Sequence, residues 1–252
     1  MPAPNVDLVL VVDTSDSMKH CINELRAHLD ALISPMQGNI SKVRYGLVGL
    51  SASKNSGNIS YMVNFIKGPM VPGTYDPYHF GPNDPDPRNQ FFTENAQEMK
   101  AALATLTPTG DEDMLLALDF AADMPFGPIS NTKRVIALFS DEPFEQGVSG
   151  RDDFDKIPLL CQKFMARHIQ LFAAIPEGHA AKELAETDRS EIEFVDGGDG
   201  LKSVDFTKLF AQMGKSISAS TIQAVSEPEY QRALFEQDKW VQSQEWSDRD
   251  NT

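Results

Sequence analysis

Asp7-Leu-Val-Leu-Val-Val-Asp-Thr-Ser-Asp-Ser-Met18 opens with a continuous apolar run, Leu8 to Val12, that breaks off at Asp13. A run with no polar face is the pattern of a strand buried on both sides, as in a parallel sheet covered by helices. Ser15 and Ser17 follow Asp13 at two-residue intervals. Three oxygen-bearing side chains therefore stand just past the carboxyl end of a central strand, where ligands bind in open α/β sheets. One carboxylate and two hydroxyls form a donor set for a hard cation such as Mg²⁺, and they leave coordination positions for something else.

Outward from this stretch, strand and helix patterns alternate. Met18, Cys21, Ile22, Leu25, Leu29 and Leu32 have helical spacing, with Ser17 as the expected N-cap. Residues 43–50 and 59–65 read as strands. The link between them, 51–58, is rich in Ser, Asn and Gly and too short for a crossover helix, so this pair is expected to be antiparallel. Helix is expected again over 93–106, with Thr93 as cap and Gln97 near the capping-box position. A turn at 107–113 precedes a helix carrying Met114, Leu115, Leu118 and Ala121. Further strands are expected at 135–139, 170–175 and 192–195, and further helices at 154–167, 180–187 and 206–217. The alternation predicts an α/β fold: a Rossmann-like, doubly wound, mostly parallel central sheet with one antiparallel edge strand and helices on both faces.

Two segments fall outside the alternation. Residues 67–90 hold Pro69, Pro72, Pro77, Pro82, Pro85 and Pro87, with Tyr75, Tyr78 and Phe80 among them. Such a segment is neither helix nor central strand; it reads as a surface insertion or a loop that contacts a partner. From about 221 an acidic tail begins, in which Tyr230, Ala233, Leu234, Gln237, Trp240 and Val241 recur at helical spacing. The expected organisation is one domain over 1–220, with the insertion at about 67–90, and a tail over 221–252 bearing an amphipathic helix.

The chain has 252 residues with 41% hydrophobic and 23% charged, values that support one large globular core. Its formal charge of −15 disfavours nucleic acid and anionic membrane as partners and favours cations and basic surfaces. No run of about 20 apolar residues is present. No basic-then-apolar leader precedes the first strand, and the two cysteines, Cys21 and Cys161, are expected to be reduced thiols, which fits a cytoplasmic protein.

Oxygen-rich residues cluster in three places: Asp13, Ser15 and Ser17; the acidic turn Asp111-Glu112-Asp113; and Asp141 at the end of the strand at 135–139. Right-handed crossovers place the first strand beside the strand at 135–139, at the topological switch point, so that all three segments meet there. Other chemistries lack their patterns. No G-x-G-x-x-G follows a strand, and Gly214-Lys-Ser216 lies in a helical segment without the earlier glycine of a phosphate loop. The five histidines lack H-E-x-x-H spacing, and Gly147-Val-Ser-Gly150 is half of a nucleophile elbow. A haloacid-dehalogenase-type phosphatase would place its acid where Ser15 stands. No paired nucleophile and base is visible, so an enzyme is not expected.

Asp13-Thr-Ser-Asp-Ser17 resembles the D-x-S-x-S motif of von Willebrand factor A domains, whose metal-ion-dependent adhesion site also takes an Asp after a later strand and a Thr or acidic residue from a loop between. Asp141 in Leu138-Phe-Ser-Asp matches the later Asp. Gly110-Asp-Glu-Asp-Met-Leu-Leu-Ala-Leu118 is similar to the G-D-x-P-E-x-x-x-x-A-L loop of integrin β and kinase-associated branches, without its Pro. That alignment puts Glu112 at the ligand position, with Asp111 as second choice. Asp16 stands where the family usually has Gly.

The resemblance covers about 7–220. It implies a metal site made of Asp13, Ser15, Ser17, Glu112 and Asp141, holding Mg²⁺, with Mn²⁺ or Ca²⁺ as substitutes. It also implies an interaction module, a scaffold or adaptor in a prokaryotic multi-protein system, that binds a partner protein's acidic side chain at the metal. Three carboxylates outweigh the two charges of Mg²⁺, so an external carboxylate is expected to bind more weakly than where the middle ligand is a neutral Thr. The alternatives are a metal-dependent hydrolase or phosphatase using the same carboxylates, and a structural subunit with a vestigial site. The sequence leaves the oligomeric state open.

Overall fold

Strand β1 (Asn5–Asp13) realises the apolar run, and every residue from Val6 to Asp13 is buried. The computed structural model describes residues 4–36, 38, 40–55, 58–66, 68–70, 91–110, 113–143, 156–187 and 190–226. Along the chain the other strands are β2 (Lys42–Asn55), β3 (Asn58–Phe65), β4 (Gly68–Met70), β5 (Phe92–Thr93), β6 (Thr132–Phe139), β7 (Ile169–Pro176) and β8 (Ser190–Val195). The α-helices are α1 (Lys19–Ile33), α2 (Ala96–Thr105), α3 (Met114–Asp123), α4 (Lys156–Ala166), α5 (His179–Ala185) and α6 (Phe206–Ser226). No helix among the described residues is long and apolar enough to cross a membrane.

The strands form one sheet in the order β4-β3-β2-β1-β6-β7-β8, with β5 beside β2. The β2–β1–β6–β7–β8 portion is parallel, and β3 runs antiparallel to β2, as the short link between them requires. The edge beyond β3 carries β4, which holds Pro69; a proline is tolerated there because an edge strand has a side with no ladder to complete. The rest of the proline-rich segment, 67 and 71–90, lies outside the described residues, as does the tail from 227 onward.

Two cores explain why β1 is apolar on both faces. Val6, Leu8, Leu10 and Val12 pack with residues of α1, α2 and α6. Val9 and Val11 point the other way and pack with residues of α3, α4 and α5. A strand alternates its side chains between faces, and here both faces are dry. Truncating a fully buried leucine such as Leu10 costs about 2–5 kcal/mol.

Several local expectations are corrected. Ser17 does not cap α1: a 3₁₀ turn, Asp16–Met18, precedes the helix, Met18 occupies the cap position with no side-chain bond, and the Ser17 hydroxyl is engaged elsewhere. Thr93 belongs to β5, and α2 is capped by Asn95, whose Oδ1 accepts from the Gln97 N–H at 2.9 Å. Thr93 instead supports that cap, accepting from the Asn95 N–H and donating to Glu98. Strand β2 runs on to Asn55 through residues expected to form the link. Helix α6 continues to Ser226, past the end at 217 that the sequence pattern suggests.

Gly214 has a packing role in place of a phosphate loop. An added Cβ would sit 2.4 Å from the Leu32 carbonyl oxygen, so α6 approaches the end of α1 as closely as backbone allows. The chain leaves β1 toward β2 on one side and returns to β6 on the other, so the strand order reverses between β1 and β6. The carboxyl ends of those two strands carry Asp13 and Ser140-Asp141.

Candidate metal centre

The register of β1 with β6 ends at Val12 opposite Phe139. One step further, the two chains part and place Asp13 beside Ser140, with Asp141 next in line. Both aspartates and Ser140 are fully buried, Ser15 is buried, and Ser17 is exposed.

A continuous chain of contacts joins them. Asp13 Oδ1 accepts from the Ser15 N–H at 2.7 Å. The Ser15 and Ser17 hydroxyls lie 3.1 Å apart, and the Ser17 hydroxyl donates to Asp141 Oδ1 at 3.0 Å. The Ser140 hydroxyl donates to Asp13 Oδ2 at 2.9 Å. Four of the five expected ligands, Asp13, Ser15, Ser17 and Asp141, are thus brought to one place from two loops 124 residues apart.

The third segment adjoins the first through its main chain: the Thr109 N–H donates to the Thr14 carbonyl at 2.7 Å. Gly110 takes φ +80°, where an added Cβ would lie 2.4 Å from the Ala52 carbonyl oxygen, and so glycine alone fits this bend. Asp113 caps α3, accepting from the Leu116 N–H at 3.2 Å. Asp111 and Glu112 lie outside the described residues. A fourth loop also reaches the site: the Gly198 N–H, at φ +77°, donates to the Asp141 carbonyl at 2.6 Å.

Ser140 and Gly198 are the residues that sequence reasoning did not single out. Ser140 had a signal, since extending the parallel register by one residue pairs it with Asp13. Gly198 had none, because its role is that of a main-chain N–H.

Electrostatically the site asks for a cation. Burial pushes the Asp13 carboxyl above its ordinary range, against the opposing pull of the Ser15 N–H and of the Ser15 and Ser140 hydroxyls, and the nearby charge of Asp141 pushes it further up. Among the described residues, no lysine or arginine acts on Asp13. The same field reaches Cys21, whose thiol is driven well above its usual value by burial first and then by Asp13 and Asp141, so it stays protonated. Both cysteines are free thiols.

The donor set fits a small hard dication. Metal–oxygen bonds of about 2.0–2.1 Å put neighbouring ligand oxygens of an octahedron about 2.9 Å apart. The Ser15–Ser17 and Ser17–Asp141 oxygen separations are of that size. Among the described residues no three His, Cys, Asp or Glu side chains converge as a conventional cluster, so the set relies on hydroxyls beside two carboxylates. Oxygen-only donors suit Mg²⁺, Mn²⁺ or Ca²⁺ rather than softer metals.

No family model matches the sequence, and no curated protein matches it. Solved structures do match the fold. The von Willebrand factor type A protein from Catenulispora acidiphila aligns at a TM-score of 0.51 with 16% identity, over 84% of this chain and 43% of its own. Proximal thread matrix protein 1 from the mussel byssus aligns at 0.50 with 14% identity, over 86% and 46%. The pilus adhesin SpaC from Lactobacillus rhamnosus GG aligns at 0.50 with 16% identity, over 88% and 31%. The chain spans less than half the length of each of these structures. Sheet order, two-sided helical cover and these alignments together give the chain a von Willebrand factor A-type fold.

Proposed function

We propose that this chain is a metal-dependent protein-interaction module rather than an enzyme. Asp13, Ser15, Ser17 and Asp141 would hold Mg²⁺, with Glu112 supplied by the loop between α2 and α3. The ion, when bound, acts as a Lewis acid that accepts an oxygen from outside the domain, and an acidic side chain of a partner protein suits that position. The observation that carries this reading is the contact chain Asp13–Ser15–Ser17–Asp141, which gathers two buried carboxylates and two hydroxyls with no basic side chain on Asp13 among the described residues. The fold's likeness to a von Willebrand factor type A protein and to a pilus adhesin supports an interaction role. We also infer a prokaryotic, cytoplasmic setting in which the partner belongs to a multi-protein assembly.

The test is calorimetry with Mg²⁺, followed by capture of partners from the native host with and without chelator. A saturable Mg²⁺ heat that vanishes in Asp13→Asn, together with a partner retained only when metal is present, supports the reading. No heat, or partners indifferent to chelator, overturns it. The middle ligand is tested by Glu112→Thr: removing one anion is expected to strengthen binding of the partner's carboxylate, and unchanged affinity would count against Glu112. Mg²⁺-dependent phosphatase activity abolished by Asp13→Asn would replace the interaction reading with a hydrolytic one.

A further inference from the structure

We propose that Ser140 is the positioning residue that gives this site its preference for Mg²⁺ over Ca²⁺, an inference that rests on the metal reading above. Ser140 is fully buried at the end of β6, and its own N–H is tied to the Ala174 carbonyl of β7 at 3.3 Å. Its hydroxyl has a single proton and, among the described residues, two acceptor oxygens within reach: Asp13 Oδ2 at 2.9 Å and the Glu142 carbonyl at 3.3 Å. The nearer acceptor is a buried carboxylate, and a charge-assisted bond is roughly twice as strong as a neutral one, so the proton goes to Asp13. The Glu142 N–H donates to the hydroxyl oxygen at 3.3 Å.

Asp13 is consequently gripped at both oxygens. Oδ1 is held by the Ser15 N–H of its own loop, and Oδ2 by a hydroxyl from the loop that also carries Asp141. Turning the carboxylate about its Cβ–Cγ bond breaks at least one of these bonds. Ser140 thereby joins the two anionic ligands and keeps Asp13 from swinging both oxygens onto one ion.

That restriction discriminates between cations. Mg²⁺ demands near-ideal octahedral geometry at about 2.0–2.1 Å, whereas Ca²⁺ accepts longer bonds, more oxygens and carboxylates that bind through both oxygens at once. A carboxylate pinned at both oxygens suits the first ion and hinders the second. Hydroxyls that orient a ligand from behind typically change metal affinity 10- to 100-fold when removed.

The experiment compares wild type, Ser140→Ala and Ser140→Thr by calorimetry with MgCl₂ and, separately, CaCl₂, with metal-free melting temperature and far-UV circular dichroism as the fold control. Ser140→Ala is expected to fold, to bind Mg²⁺ at least tenfold more weakly, and to change Ca²⁺ affinity less than threefold, inverting or collapsing the Mg²⁺/Ca²⁺ ratio. Ser140→Thr, which keeps the hydroxyl, is expected to restore the ratio; if the added methyl unfolds it, the alanine variant decides alone. A folded Ser140→Ala that loses both ions equally, or neither, overturns the proposal while leaving the metal reading intact. A wild-type protein that takes up no Mg²⁺ overturns both.

Discussion

Asp13 carries a charge that the fold buries and that its hydrogen bonds only partly offset. Its carboxyl is raised above the ordinary range, first by burial and then by Asp141. A raised carboxyl stabilises the fold fully below the unfolded value of about 3.9, and that contribution fades as pH climbs through the raised native value. The metal-free protein therefore carries at neutral pH a cost that a bound dication would offset and that a neutral side chain would remove. Two outcomes follow. Asp13→Asn at pH 7 is expected to melt without metal at a temperature at least as high as wild type, and to show no rise on adding Mg²⁺. In wild type the Mg²⁺-induced rise is expected to shrink as pH falls through Asp13's raised value, because proton and metal compete for one carboxylate. Calorimetric scans across pH, with and without Mg²⁺, check both. Thr14, next in sequence, offers a contrast: its hydroxyl is buried with no hydrogen-bond partner among the described residues. An orphaned buried hydroxyl costs about 1–3 kcal/mol, so Thr14→Val is expected to be neutral or stabilising in urea titrations.

Among the elements, α6 shows where packing outweighs propensity. Gly214 weakens the helix interior by about 1 kcal/mol relative to alanine. Gly214→Ala would nevertheless press a Cβ to within 2.4 Å of the Leu32 main-chain oxygen and 3.1 Å of the Pro35 ring. Forcing α1 and α6 apart also disturbs the cluster of tilted and edge-to-face rings of Phe139, Phe206 and Phe210, whose centroids lie 5.7–6.2 Å apart. Overpacking of this kind typically costs 1–3 kcal/mol, which exceeds the propensity gain, and so the variant is expected to unfold at lower urea than wild type. Element types were legible from the sequence because periodicity records burial: Met18 to Leu32 repeats every turn, and Leu8 to Val12 has no polar face. The caps were not legible, because Ser17 and Thr93 are chemically able to cap and only tertiary partners decide. Ser17 is drawn away by Asp141, and Thr93 by the pairing of β5 with β2. The convergence of the candidate site was legible where polar residues follow a strand end, at Asp13 and Asp141. It was not legible at Gly198, whose side chain contributes nothing.

At the scale of the whole molecule, the two ends of the sheet are specialised differently. The carboxyl ends of β1 and β6 hold the candidate metal site, and their amino ends hold a polar clamp. Asp7 is buried at the start of β1 and takes a two-pronged bond from Arg44 of β2, at 2.7 and 2.5 Å, as well as the Gly127 N–H at 2.7 Å. Arg44 also stacks over Phe92, 4.6 Å from the ring centroid. Arg134 of β6 holds the Gly127 carbonyl through two nitrogens and reaches the Arg167 carbonyl beyond α4. One carboxylate thus links β1, β2 and the loop before β6. Breaking a buried pair by deleting one partner costs about 3–5 kcal/mol, because the other charge stays behind without compensation. Asp7→Ala is therefore expected to lower the melting temperature by roughly 6–20 °C, at about 2–4 °C per kcal/mol for a chain of this size. Beyond that drop, the Mg²⁺ affinity of the folded protein should match wild type, since Asp7 and Asp13 sit at opposite ends of the same strand, six residues or about 20 Å apart. Calorimetry well below the lowered melting temperature separates the two quantities. A loss of Mg²⁺ affinity in folded Asp7→Ala would mean that the sheet transmits strain along β1, and that clamp and metal site act as one unit.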